Sequence, residues 1–202
     1  MNIGSVKIIA EIGINHNGSL DTALKLIYKA SEARVDAVKF QKRSLSHIYS
    51  KSILEDSNGA EWNFDYLLPQ LEKLELSDED YYAIKETCSE LGLDLIITPM
   101  DEESADFVGE LGVSAIKIAS PDMTNLRLIK KCASFGLPLI ISTGMWEYED
   151  IEKCVDFYKR NNLNFSLLAA NSTYPTPYES INLNFIAKLK QLSPNVGYSG
   201  HE

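Results

Sequence analysis

Two lysines stand where lysines seldom belong. Lys39 lies in "AVKFQ" and Lys117 in "AIKIAS", each flanked by apolar residues of strand type. A lysine in a core-facing strand is strongly disfavoured unless something pairs with its ammonium group. Hydroxyl residues end other apolar runs: Thr98, Ser120, Ser142 and Ser199. Lysines supply charge and hydroxyls supply directed donors, a combination that suits an anion with several oxygens. Phosphate together with carboxylate is the natural ligand. A third residue raises the opposite question. Glu11 interrupts the apolar run of "IIAEIGINHNG", and a buried, unpaired carboxylate is too costly for folding alone to select. Either it neutralises Lys39 or it has chemical work to do. Asp122, close behind Ser120, is a second carboxylate of the same kind.

The elements that must carry these residues are legible as a rhythm. Short runs rich in Ile, Val and Leu recur at Lys7–Gly13, Ala37–Gln41, Asp94–Met100, Ala115–Ser120, Pro138–Thr143, Phe165–Asn171 and Asn195–Ser199. Nearly continuous apolar runs suit strands buried on both faces, as in parallel sheets. Amphipathic segments lie between them: Ser19–Ala33, Ser77–Gly92, Asp101–Gly112, Asn125–Gly136, Tyr148–Asn161 and Leu183–Leu192. Ser19 and Ser77 read as N-caps, the latter opening a capping box, while Gly92, Gly112 and Gly136 read as left-handed helix stops. Strands spaced by roughly 20–30 residues predict a (β/α)8 TIM barrel, with a doubly wound sheet as the competing architecture. In a barrel the carboxyl ends of the strands build the site, which is where the polar residues gather.

Seven strands are legible, and the chain stops at Gly200-His201-Glu202 straight after the seventh. The expectation is a single barrel domain over residues 1–202, truncated after the seventh strand. The segment Arg43–Glu75, with Trp62, Phe64, Tyr66 and Pro69, reads as a long βα loop folded over the active face or packed on itself. His16 reads equally as a turn residue or a substrate contact, and His47 as solvated. The double-proline turn Thr173–Tyr178 places Tyr174 where its hydroxyl could serve a site.

Composition narrows the function. The formal net charge is −10, which argues against nucleic acid, since phosphate backbones want a basic face. Three scattered cysteines with no C-x-x-C fit reduced thiols. No apolar run is long enough to span a membrane, and no signal peptide is visible, so a cytoplasmic location is expected. No G-x-G-x-x-G or P-loop follows a strand, which removes the usual marks of nucleotide binding.

The ordered series "AEIGINHNG", "AVKFQ", "TPMD", "KIAS", "ISTGM", "YPTP" and "VGYSGHE" resembles the sialic acid synthase family. The resemblance implies condensation of phosphoenolpyruvate with an N-acetylated hexosamine to a sialic acid, releasing phosphate. It also implies a divalent metal, Mn2+ or Mg2+, and a homodimer in a full-length parent. Carried over residue by residue, it implies Lys39, Thr98, Lys117, Ser120, Ser142 and Ser199 as phosphoenolpyruvate contacts. Gln41 and Tyr174 become pocket residues, Glu11 the carboxylate near the reacting groups, Asp122 an acid meeting the sugar, and His201 a metal ligand. Ser172 departs from the family's usual Asn, and Ala169-Ala170 from its His-Cys. The family's eighth strand, with a second metal histidine, and its C-terminal antifreeze-like domain have no counterpart in these residues. The alternatives are a synthase for legionaminic or pseudaminic acid, and a catalytically inactive barrel fragment.

Overall fold

The structure is a computed structural model that describes residues 6–55 and 64–202, with the side chains of residues 64–66 outside that description. The chain divides into two compact units, the first ending at Ser114 and the second beginning at Ala115.

The first unit holds three parallel strands: β1 (Ile9–Gly13), β2 (Ala37–Lys42) and β3 (Asp94–Pro99). β2 lies between the other two, in parallel register with both. Helix α1 (Leu20–Glu32) follows β1, capped by the Ser19 hydroxyl accepting from the Thr22 amide at 3.2 Å. Its buried face, Ala23, Ile27 and Ala30, repeats at helical spacing. The Arg43–Glu75 segment is not an irregular loop. It carries α2 (Leu45–Ile48), α3 (Lys51–Glu55) and α4 (Phe64–Leu74). The leucines at 67, 68, 71 and 74 recur at helical spacing, and α4 contains Pro69. Trp62 lies outside the described residues. Helix α5 (Asp78–Glu90) opens on the expected capping box between Ser77 and Asp80 and packs against α1. Helix α6 (Glu102–Leu111) is capped by Asp101, which accepts from Ser104 at 2.8 Å and also from the Ser44 amide at 2.7 Å. Asp101 of the "TPMD" motif is therefore a scaffold residue that ties the end of β2 to the start of α6. Phe40, Ile27, Ile84 and Ile97 fill this unit's core.

The second unit repeats the pattern with four parallel strands: β4 (Ala115–Ile118), β5 (Leu139–Ser142), β6 (Phe165–Ala170) and β7 (Val196–Ser199). Each pairs with the next in sequence. A short 3-10 turn at Ser120–Thr124 leads into α7 (Leu126–Ala133). Helix α8 (Tyr148–Arg160) follows β5, and α9 (Phe185–Leu189) precedes β7. The buried phenol of Tyr158 donates to the Met123 carbonyl at 2.5 Å, which fastens α8 to the turn behind β4. Burial raises that phenol's pKa, so it remains a donor. The glycines expected to stop helices do so, with Gly92, Gly112 and Gly136 all at positive φ.

Candidate functional site

In the first unit Glu11 and Lys39 are register partners on adjacent strands. Their side chains form an ion pair at 2.6 Å. The carboxylate is half-exposed at 51%, whereas the lysine side chain is only 11% exposed. The burial cost suggested by the apolar run therefore does not arise for Glu11. Within β1 only Ile12 and Gly13 are buried, and a register shift at Gly13, at φ 55°, breaks the strand's regular pairing beside Glu11. The Lys39 amine also donates to Thr98 at 3.1 Å. Lys39 lies opposite Ile96, so the amine reaches two residues further along β3, toward its carboxyl end. Gln41, opposite Thr98, accepts from the Arg43 guanidinium at 2.9 Å, and its carbonyl takes the Tyr81 hydroxyl. Arg43 in turn pairs with Glu75 at 3.0 Å. Sequence reasoning missed Arg43 as the residue that orients Gln41; its position two residues on, at the end of the strand, was the available signal.

The second unit holds the same device. Lys117 is 6% exposed. Its amine donates to the Ser142 hydroxyl at 2.6 Å and to the Ile118 carbonyl at 2.9 Å. Lys117 lies opposite Ile140, so here too the lysine leans two residues toward the carboxyl end of the neighbouring strand. Beside it, the Ser120 hydroxyl accepts the Gly144 amide at 3.1 Å, and the Ser120 carbonyl accepts the indole N–H of Trp146 at 2.7 Å. Trp146 was not anticipated. A side chain at Gly144 would not fit, because a Cβ there would lie 2.5 Å from the Ser172 Oγ and 2.9 Å from the Ser120 Oγ. Ser199 lies opposite Ala170 at the end of β7.

Asp122 sits in the turn after Ser120, where its Oδ1 accepts from the side-chain Nδ2 of Asn125 at 3.2 Å. Burial raises its carboxyl pKa above the ordinary value of 3.8, and the Asn125 bond only partly opposes this. A carboxylate with a raised folded pKa costs stability when ionised, and the cost vanishes as pH falls through that raised value. Asp122→Asn therefore raises the thermal midpoint at pH 7, and its advantage over wild type disappears as pH approaches 3.8. Thermal melts of both proteins across that range check this; an advantage independent of pH would contradict it.

His201 is held on three sides. Its Nδ1 lies 2.6 Å from the Asn171 carbonyl, its Nε2 lies 3.0 Å from the Tyr174 hydroxyl, and its ring stacks on Tyr174 at 4.0 Å. A carbonyl can only accept, so Nδ1 carries the proton and donates, and Nε2 presents a lone pair to the phenol. That tautomer fits a metal ligand, which needs one unprotonated nitrogen and a braced second one. Among the described residues no group of three or more His, Cys, Asp or Glu side chains stands ready to hold a metal, and a metal at His201 Nε2 would have to displace the Tyr174 hydroxyl.

His16 and His47 separate clearly. His47 pairs with Glu103 at 2.7 Å with both side chains more than half exposed. His16 is 1% exposed, accepts the Gly18 amide at 3.1 Å and stacks on Phe40. It shapes the turn after β1.

Repeated parallel β/α units with lysine–hydroxyl clusters at their strand ends define a parallel α/β protein. The particular family follows from comparison: a model of the NeuB family matches residues 26–202, and the chain belongs to that family. It is 39% identical over 204 residues to the N,N'-diacetyllegionaminic acid synthase of Legionella pneumophila, covering 96% of this chain and 57% of that protein. It is 39% identical over 205 residues to the N-acetylneuraminate-9-phosphate synthase of Drosophila melanogaster, covering 99% of this chain and 55% of that protein. The chain thus spans little more than half the length of these relatives. Among solved structures it superposes on the N-acetylneuraminic acid synthetase of Leptospira borgpetersenii serovar Hardjo-bovis, crystallised with citrate, with a TM-score of 0.86 and 28% identity, over 100% of this chain and 70% of the other. Seven strands of the barrel fold fall in the described residues. The doubly wound alternative is set aside by that superposition; strand order inside each unit is compatible with either architecture. No helix among the described residues is long and apolar enough to cross a membrane.

Proposed function

We propose that this chain carries the condensing core of a nonulosonic acid synthase, joining phosphoenolpyruvate to an N-acylated hexosamine and releasing phosphate. The observation that supports it most is Lys117: a buried ammonium donating to Ser142, beside the Ser120 hydroxyl, among donors suited to a phospho-carboxylate. Within the first unit, the Lys39–Thr98–Glu11 cluster offers a second ammonium suited to an anion. Relatives named for different nine-carbon acids are equally similar, so the acid made is a legionaminic or a sialic type. The names of these relatives also divide over whether the product carries a phosphate.

In this mechanism C3 of the enol phosphate attacks the aldehyde carbon of the open-chain sugar, and the enol π pair forms the new C–C bond. Water adds at the electron-poor C2, and C–O cleavage of the tetrahedral intermediate expels phosphate. Lys117 offsets anionic charge on the phospho-acid through these steps. Asp122, its carboxyl pKa raised by burial, exchanges the proton of the water or the aldehyde oxygen. His201 would be one ligand of Mn2+ or Mg2+ through Nε2 once the Tyr174 hydroxyl leaves that nitrogen, and a bound divalent ion would supply Lewis acidity toward the aldehyde. The full-length protein would be cytoplasmic and homodimeric.

The test is phosphate release from phosphoenolpyruvate with N-acetylmannosamine and Mn2+, with mass-spectrometric detection of the nine-carbon acid. Release that needs both substrates is expected. Release indifferent to the sugar, or none at all, would overturn the proposal.

A further inference from the structure

The loop after β5 grips Ser120 from both sides of one strained residue. Gly144 donates its backbone amide to the Ser120 hydroxyl at 3.1 Å, and Trp146 donates its indole N–H to the Ser120 carbonyl at 2.7 Å. Met145 stands between them at φ 73°, in the left-handed region where a residue with a side chain is strained. Its side chain gains little in return, being 71% exposed. Burial of Met145 therefore does not account for the conformation, whereas the two bonds that flank it do.

These bonds set the polarity of a hydroxyl. A serine hydroxyl has one proton and two lone pairs. The Gly144 amide takes a lone pair of Ser120, so the proton is left to donate. Rotation about φ of Met145 turns the chain before it relative to the chain after it. With Trp146 fastened to the Ser120 carbonyl, Gly144 is held at the Ser120 hydroxyl. Without that fastening the backbone at Met145 is free to relax, and the Gly144 amide leaves. Indole suits the task, because its nitrogen donates only and keeps its proton.

We infer that Trp146 is a positioning residue for the anion site of the second unit: by tying the strained Met145 backbone to Ser120, it aims the Ser120 hydroxyl proton at the anion beside Lys117. That the anion is phosphoenolpyruvate rests on the synthase reading above. Trp146 itself touches no reacting atom in this arrangement. It acts through Ser120, and Met145 carries the strain that its bond offsets. Replacing Met145 by glycine removes the strain, since glycine adopts positive φ without steric cost. A loop with glycine there has less need of the clamp, which separates a positioning role for Trp146 from simple packing of its ring.

The experiment titrates phosphoenolpyruvate calorimetrically into wild type, Trp146→Phe, Met145→Gly and the double variant. Trp146→Phe keeps an aromatic ring but loses the donor, and is expected to weaken binding about 10-fold. Met145→Gly alone is expected to change affinity by less than about 2-fold, and in the Trp146→Phe background to return it to within about 3-fold of wild type, a coupling that two independent sites would not show. The indole N–H resonances of wild type give a second reading. The chain has two tryptophans, Trp62 and Trp146, so Trp62→Phe assigns them. The Trp146 resonance is expected to shift as phosphoenolpyruvate saturates the protein, and this measurement decides the matter if Trp146→Phe does not fold. Undiminished affinity in Trp146→Phe, a loss that Met145→Gly does not recover, or an indole resonance unmoved by phosphoenolpyruvate would each overturn the inference and leave the phospho-acid site standing. Failure of wild type to bind phosphoenolpyruvate would instead overturn the synthase reading, and this inference with it.

Discussion

Lys117→Met is expected to weaken phosphoenolpyruvate binding by about 100-fold while leaving the protein folded. Methionine keeps the unbranched stem inside the strand but removes the ammonium. A hydrogen bond to a charged group is worth ~1.5–3 kcal/mol, and one tenfold change in affinity is about 1.4 kcal/mol, so one such contact corresponds to roughly two orders of magnitude. Stability responds differently. The Ser142 hydroxyl and the Ile118 carbonyl lose their donor, which is unfavourable, but the cost of keeping an ammonium buried disappears with it. These changes oppose each other, so the thermal midpoint should move by only a few degrees. Calorimetric titration of wild type and variant, with thermal melts of both, reads the two quantities separately. Undiminished affinity would remove Lys117 from the phospho-acid site. A collapse of the melting transition would reassign the lysine to folding.

The second large effect concerns the turn after β1. Gly18→Ala should cost about 3 kcal/mol of stability. Gly18 stands at φ 72°, where a residue with a side chain is strained by ~1–3 kcal/mol. A Cβ there would also intrude on the backbone carbonyl of Lys73, near the end of α4. Backbone cannot swing aside as the tip of a side chain can, so overpacking adds about 1–3 kcal/mol. In a protein of this size such a loss lowers the midpoint by roughly 10 °C. The Gly18 amide is also the donor to His16 Nδ1, so the same change loosens a buried imidazole stacked beneath β2. Thermal denaturation measures it directly; a shift below about 2 °C would mean that α4 can retreat without cost.

Much of this protein could be read from residue order alone. Lys117 and Lys39 were conspicuous because charge within an apolar strand demands an explanation. All seven strands fall within a residue or two of where apolar runs place them. The caps at Ser19 and Ser77 and the stops at Gly92, Gly112 and Gly136 follow from local hydrogen bonding and backbone sterics, which act between near neighbours in the chain. Other matters needed three dimensions because they join residues far apart. That Glu11 meets Lys39 half-exposed depends on the register of β1 against β2 and on the shift at Gly13. That both lysines lean two residues along a neighbouring strand depends on side-chain direction within a parallel ladder. The tautomer of His201 is set by the carbonyl of Asn171, thirty residues away in sequence. Within Arg43–Glu75, α2 and α3 are four and five residues long, too short to show a helical period in sequence. Sequence order dictated which residues carry charge and where strands begin; long-range packing alone decided what those charges touch.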